Sequence, residues 1–155
     1  MNEASIISYI TNTFEGVGTE SLTSDMFFFY DPPGVTADHK FPFATLVTND
    51  NYDSVSKLSR PSVYRLNIGV GKETFRSLFG SQPFGTHTDE QGADIDGVYD
   101  YTTLDKIMPH PVYGKMYWVC VLSPSDATFE AEVKPLLAEA YELDVKKHTK
   151  RASRG

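Results

Sequence analysis

Apolar and polar positions along this chain follow two periods, and the switches between them lay out its elements. Ile6, Ile7, Ile10 and Phe14 recur at spacings of three and four, which predicts a helix over about 4–14 with one buried stripe. Gly16 and Gly18 end it. Met26 to Tyr30 is a continuous apolar and aromatic run. It fits a strand covered on both faces, and periodicity alone does not separate it from a short buried helix. Asp31-Pro32-Pro33-Gly34 forces a turn. Phe43 to Thr48 is a second strand, closed by Asn49-Asp50-Asn51. A polar segment around Tyr52 to Leu58 and a break at Pro61 follow. Tyr64, Leu66 and Ile68 then alternate with Arg65, Asn67 and Gly69, which predicts a half-exposed third strand.

Gly71 opens a helix through about Phe79, with Phe75, Leu78 and Phe79 on its inner side. Residues 81–98 hold three glycines and four acids with little that is apolar, the composition of a mobile loop. Thr103 to Met108 fits one helical turn, capped by Thr102 or Thr103. Met116 to Leu122 is a fourth strand. Ser125 is an N-cap candidate, with a short helix over Thr128 to Val133. Pro135 lacks an amide proton and suits the first turn of a second helix, Lys134 to His148. Leu136, Leu137, Ala140, Tyr141 and Leu143 form its apolar face. The order predicts one α+β domain over 1–148, a mostly antiparallel sheet with helices on one face. A frayed basic tail, 149–155, follows.

Composition narrows the function. The chain of 155 residues carries a net charge of −7. Five of its 14 Lys and Arg lie in residues 146–155, which hold no acid. The body therefore sets nine cations against 21 acids, a net of −12. Such a body repels phosphate backbones and argues against nucleic acid as a partner. The basic end suits a helix C-terminus, where cations complement the dipole. One Cys excludes an intramolecular disulfide and a Cys-pair zinc site. The start lacks a basic leader, and no long apolar run follows, so a cytoplasmic protein away from membranes is expected.

The densest chemistry lies in residues 108–122, where His110 stands between Pro109 and Pro111, the chain turns at Gly114, and a strand carries Trp118 and Cys120. The prolines fix the backbone around an imidazole whose ordinary pKa of about 6.5 suits proton transfer or ligation. Tyr113 and Lys115 lie near it in sequence. Arg65 and Asn67, two apart on a strand, share a face. In a cleft, Arg65 would clamp an anion by two prongs and Asn67 would read a polar edge. One pocket of Arg65, Asn67, His110 and Tyr113 is the favoured site, with Trp118 as a stacking surface. A core role for Trp118 and an inert buried thiol for Cys120 stand beside it.

Other motifs fail on spacing. Gly69 to Thr74 resembles a phosphate loop, but Leu66 and Glu73 occupy positions that need Gly and Ser or Thr. A calcium loop counted from Asp94 meets Val98 and Asp105 where a ligand and a closing Glu belong. His39 and His87 have no ligand partners at useful spacing, and no Gly-x-Ser-x-Gly elbow occurs. No metal or cofactor is expected.

Phe27-Phe28-Phe29-Tyr30, Arg65 to Val70, His110 to Gly114, Trp118 and Leu136 to Leu143 together resemble a bacterial family of domains of unknown function, over nearly the whole chain. More remotely the layout is similar to the MmcQ/YjbR-like domains. Gly16-Val17-Gly18, the His110 loop, Trp118 and Tyr141-Glu142-Leu143 would be the counterparts. That likeness implies a small α+β fold with a double-wing, DNA-binding-like arrangement and no defined activity. The sequence thus favours noncatalytic binding of a small molecule or protein partner. It leaves open an enzyme that uses His110 for proton transfer and Arg65 as an anion clamp, and a nucleic-acid binder that the acidic body disfavours. Met26–Tyr30 fits a homodimer contact as well as a core strand.

Overall fold

The computed structural model describes residues 1–32 and 41–154, with side chains through 149. Six antiparallel strands form one open sheet: β1 (Val17–Leu22), β2 (Asp25–Tyr30), β3 (Ala44–Val47), β4 (Arg65–Gly69), β5 (Met108–Pro109) and β6 (Trp118–Leu122). Their order is β1-β2-β3-β4-β6-β5. Helix α1 (Glu3–Thr13), α2 (Lys72–Phe79) and a long C-terminal helix pack against one face. There Phe28, Ala44, Leu46, Leu66, Ile68, Val119 and Val121 meet Ile6, Ile10, Phe75, Val133 and Leu137. The fold is the expected α+β single domain.

Local chemistry explains most of these elements. Asn2 caps α1 by accepting from the Ser5 amide at 2.8 Å, and Ile6 and Ile10 point into the core. Phe75 and Phe79, one turn apart, turn α2 inward. Leu78, expected on that side, is exposed. The C-terminal helix begins at Ser125, which accepts from the Thr128 amide. The first turn, α3 (Asp126–Thr128), runs through a wider π turn over Phe129–Val133 into α4 (Lys134–Arg154). Two separate helices were expected on account of Pro135. The wider turn instead carries the Lys134 amide to the Phe129 carbonyl five residues back, and a π-bulge of this kind admits a residue without an amide proton. α4 continues through Arg154, beyond the expected end at His148.

Three expectations need correction. β1 lies where only the end of a helix was foreseen. It pairs with β2 through Thr23 and Ser24, both at positive φ (54° and 71°). Residues 103–108 form no helical turn. Leu104 bridges Leu122, Asp105 accepts from the Ser125 amide at 2.7 Å, and Met108 enters β5. Residues 81–98, expected to form a mobile loop, are instead tied down by their own acids. Asp94 is buried and accepts from the Gly85 amide and the Tyr101 hydroxyl, and Asp96 accepts from the His87 amide. His39 lies outside the described residues, as does the end of the Asp31–Gly34 turn.

The strand-to-helix turn at Gly71 has its own anion. Glu139, from α4, accepts from the Gly71 amide at 2.8 Å and from the Thr74 hydroxyl at 2.5 Å. A carboxylate therefore occupies the positive end of α2, where a bound phosphate would otherwise sit. Glu139→Ala is expected to lower stability by about 1–3 kcal/mol, the range for hydrogen bonds to a charged group. Urea denaturation measures it, and an unchanged midpoint would mean that water substitutes for the carboxylate without loss.

Candidate functional site

Among the described residues the sheet's second face carries no α-helix. The segments after β3 and before β5 cover part of it, where Val47, Leu58, Val63, Tyr101, Met108, Cys120 and Leu122 make a second, smaller core. Strand register places Phe27, Thr45, Asn67, Cys120 and Met108 in one cross-strand row on this face. Asp25 and Arg65 belong to a parallel row. Gly69 and Trp118 pair in a third, which the His110 amide continues by donating to the Trp118 carbonyl at 2.9 Å. The sequence-predicted residues Arg65, Asn67, Trp118 and His110 thus share one face.

Arg65 is not half-exposed, as alternation suggested, but 2% exposed. Its guanidinium donates twice to Asp53, at 3.0 and 2.8 Å, and once each to Ser56 Oγ and Asn67 Oδ1. Burial works against its charge, and the Asp53 carboxylate outweighs burial, so the group stays protonated. The anion that Arg65 clamps comes from its own chain. Asn67, held through Oδ1, donates from Nδ2 to Thr45 Oγ1 at 3.0 Å. Asp53, Ser56 and Thr45 have no sequence signature of a site. Only the folding of the 50–63 segment over β4 brings the first two to Arg65.

His110 is 3% exposed. Its Nδ1 accepts from the amides of Val112 and Tyr113 at 3.1 and 3.0 Å, capping the 3-10 turn Tyr113–Met116. Two amides aimed at Nδ1 leave it no proton, so Nε2 carries the ring hydrogen. Burial, helped by the nearby Arg65 charge, holds the imidazole well below its usual pKa of 6.5. His110 is therefore a neutral donor. Nε2 has no hydrogen-bond partner among the described residues. The buried side-chain atoms both sealed and unpaired there are Asp25 Oδ2 and Tyr64 Oη.

Tyr113 stands at the rim, half-exposed, its ring 5.1 Å from that of His110. Gly114 must lack a side chain, since a Cβ there would collide with the Phe84 ring. Half-buried Trp118 lies over Gly69, whose added Cβ would sit 3.0 Å from two indole carbons. Cys120 is fully buried against the Pro109 carbonyl, and burial pushes its thiol up to about 12, so it stays an unreactive thiol. His87 pairs with Asp96 at 2.6 Å on the surface. Among the described residues no group of three or more His, Cys, Asp or Glu is placed to hold a metal ion.

The layout defines a single α+β domain whose second sheet face bears Arg65, Asn67, His110 and Trp118. The chain belongs to the family of unknown function DUF6194, whose model matches residues 1–153. No curated protein and no solved structure matches it, and nothing ties it to the MmcQ/YjbR-like domains. No helix among the described residues is long and apolar enough to cross a membrane.

Two outcomes test this geometry. Asp53→Asn leaves Arg65 buried without its counter-ion and is expected to cost about 3–5 kcal/mol in urea denaturation. A loss within about 1 kcal/mol would show that the pair is reachable by water. His110 is neutral when folded and protonates near pH 6.5 when unfolded, so the unfolded state takes up more protons as pH falls. Stability is complete above about pH 6.5 and declines below it, by at most about 1.4 kcal/mol per pH unit. His110→Gln should lack that increment of slope, measured against wild type from pH 8 to 5. Parallel slopes would place an ordinary, solvated histidine at this position.

Proposed function

We propose that this protein binds a small molecule without transforming it, at the surface formed by His110, Tyr113 and Trp118, with Asn67 and Arg65 as its inner frame. Support comes chiefly from the state of His110. A ring whose Nδ1 is committed to two amides and whose charged form is disfavoured serves poorly as an acid or base near neutral pH. It serves well as a fixed, uncharged donor, and preorganised donors of this kind orient ligands at low entropic cost. Proton transfer by His110 with Arg65 as clamp is the weaker account, because Asp53 already fills the guanidinium fork. Nucleic acid fits poorly with a body of net charge −12. The setting remains the cytoplasm that composition suggested.

A thermal-shift panel of metabolites, nucleotides, divalent metals and short DNA tests the proposal. A ligand at 100 times its dissociation constant should add about 2.7 kcal/mol, a rise of several degrees. The shift should vanish in Tyr113→Ala, and affinity should stay flat from pH 6 to 8. Turnover of a hit with a sigmoid pH profile in that range would favour the enzyme instead. Silence from every class would remove small-molecule binding.

A further inference from the structure

The open sheet has two edges, and they are unlike. β5 forms one with two residues, of which Pro109 has no amide proton to offer. β1 forms the other with six residues, Val17–Leu22, in one-to-one register with β2. It holds no Pro, no Lys and no bulge, the devices that commonly blunt an edge. Thr19 to Leu22 are exposed. β2, whose aromatic run suited a dimer contact in the sequence, has no free edge, because it lies between β1 and β3.

The register shows which backbone groups of β1 are left over. The Asp31 amide donates to the Gly16 carbonyl at 2.7 Å, one step beyond the pair of Val17 and Tyr30. Bonds between antiparallel strands fall on alternate pairs. Gly18, Glu20 and Leu22 therefore bond to β2, while the N–H and C=O groups of Val17, Thr19 and Ser21 point away from the sheet. Tyr30, opposite Val17, agrees with this phase, since its amide donates away from β1, to Asp144 at 2.9 Å. No described residue bonds the outward groups of Val17, Thr19 or Ser21. A strand laid along this edge gains a hydrogen-bonded pair at each of the three positions.

Side chains select the strand. Gly18, Glu20 and Leu22 share the face that carries Phe27 and Asp25. Opposite these three, an added antiparallel strand makes the pairs without hydrogen bonds, where side chains approach most closely, about 4.5 Å between Cα atoms. Glu20 is exposed and has no ion pair among the described residues. β1, β2 and β3 carry Glu20 and Asp25 and neither Lys nor Arg. Asp25 is buried in register with Leu22, its Oδ2 unpaired, and adds a second carboxyl behind the same edge. Leu22, 57% exposed, offers an apolar neighbour two residues from Glu20. A second copy of this chain fits poorly. The self-pairing that uses every outward group is centred on Thr19, and it sets the two Glu20 side chains on one face as diagonal neighbours, about 7–8 Å apart. Each would also bring a body of net charge −12.

We propose that β1 is a docking edge for an extended, basic segment of another protein, which adds antiparallel to β1 with a Lys or Arg against Glu20 and an apolar side chain against Leu22. Backbone bonds to Val17, Thr19 and Ser21 supply affinity whatever the sequence, and the pair at Glu20 supplies the choice of partner. This edge is independent of the His110 surface and of what binds there.

The probe is a fluorescein-labelled β-hairpin peptide whose outer strand reads Val-Thr-Lys-Val-Thr-Val, closed beforehand so that little ordering is left for binding. Anisotropy with the full chain reads affinity, and hydrogen exchange of the β1 amides by NMR reads place. Saturable binding is expected, with the Val17, Thr19 and Ser21 amides protected on binding. Replacing the peptide's Lys by Glu should weaken it about three- to tenfold, and Glu20→Lys, a change at an exposed position, should reverse that preference. A peptide N-methylated at the three residues whose amides face β1 should not bind. Binding that survives N-methylation, or that leaves the three amides exchanging freely, would mean attraction to the acidic body elsewhere and overturns the proposal. A Lys peptide that fails to saturate, or a preference unmoved by Glu20→Lys, does the same. A dimer in sedimentation of the free protein, with the three amides already protected, would give the edge to a second copy and overturn the basic partner.

Discussion

The buried ion pair between Arg65 and Asp53 is the interaction on which this face of the sheet depends. A guanidinium at 2% exposure is tolerable only with its counter-charge and its remaining donors satisfied. Asp53, Ser56 and Asn67 meet that demand together. Because two of the three come from the 50–63 segment, the same contacts hold that segment against β4, and the second apolar cluster closes around them. The pair then acts outward. It sets the direction of the Asn67 amide, which donates to the Thr45 hydroxyl, and the Arg65 charge adds to the burial that keeps His110 neutral. A hydrophobic pair of equal volume would fill the space, but it would leave Asn67 without an orienting partner.

A similar economy operates on the helical face. The N-terminus of α2 would attract an anion, and Glu139 supplies one from α4. The two places where the sequence invites an anion, the glycine turn before α2 and the Arg65 fork, are both filled from within.

The α+β class, four of the six strands and the three main helices were legible because each is carried by periodicity that survives in a single sequence. β1 was not. It is an edge strand of Val17-Gly18-Thr19-Glu20-Ser21-Leu22, mostly exposed, with no apolar alternation to announce it. Its turn places Thr23 and Ser24 in the left-handed region without the Asn-Gly pair that usually marks such hairpins. The shared face of Arg65 and Asn67 was legible from spacing, but its burial was not. Alternation reports which residues share a face, and polar residues are ordinarily assigned to solvent. Only a second covering layer, brought by a polar segment with no pattern of its own, reverses that assignment. The loop acids were misjudged for the same reason. Asp94 is one of four acids in residues 81–98 by composition, and only the fold sets it against the Tyr101 hydroxyl.

His110 shows most clearly where sequence reading stops. Two flanking prolines announced a histidine in a fixed direction, and that much follows from backbone sterics. Whether such a residue is a base, a ligand or a donor depends on which nitrogen the backbone takes. The chain turns back after Pro111, so the amides of Val112 and Tyr113 both reach Nδ1. That consumes the lone pair through which an imidazole accepts a proton, and burial disfavours the charge that acceptance would create. The arrangement that makes His110 look catalytic in the sequence is therefore the one that makes it a neutral donor in the fold. The same turn sets the exposed Tyr113 ring 5.1 Å from that of His110. Capping a turn and presenting a hydrogen-bond donor are thus one structural act. A substitution that disturbs the cap must also disturb the donor, whereas changes at Tyr113 reach the surface without passing through the backbone.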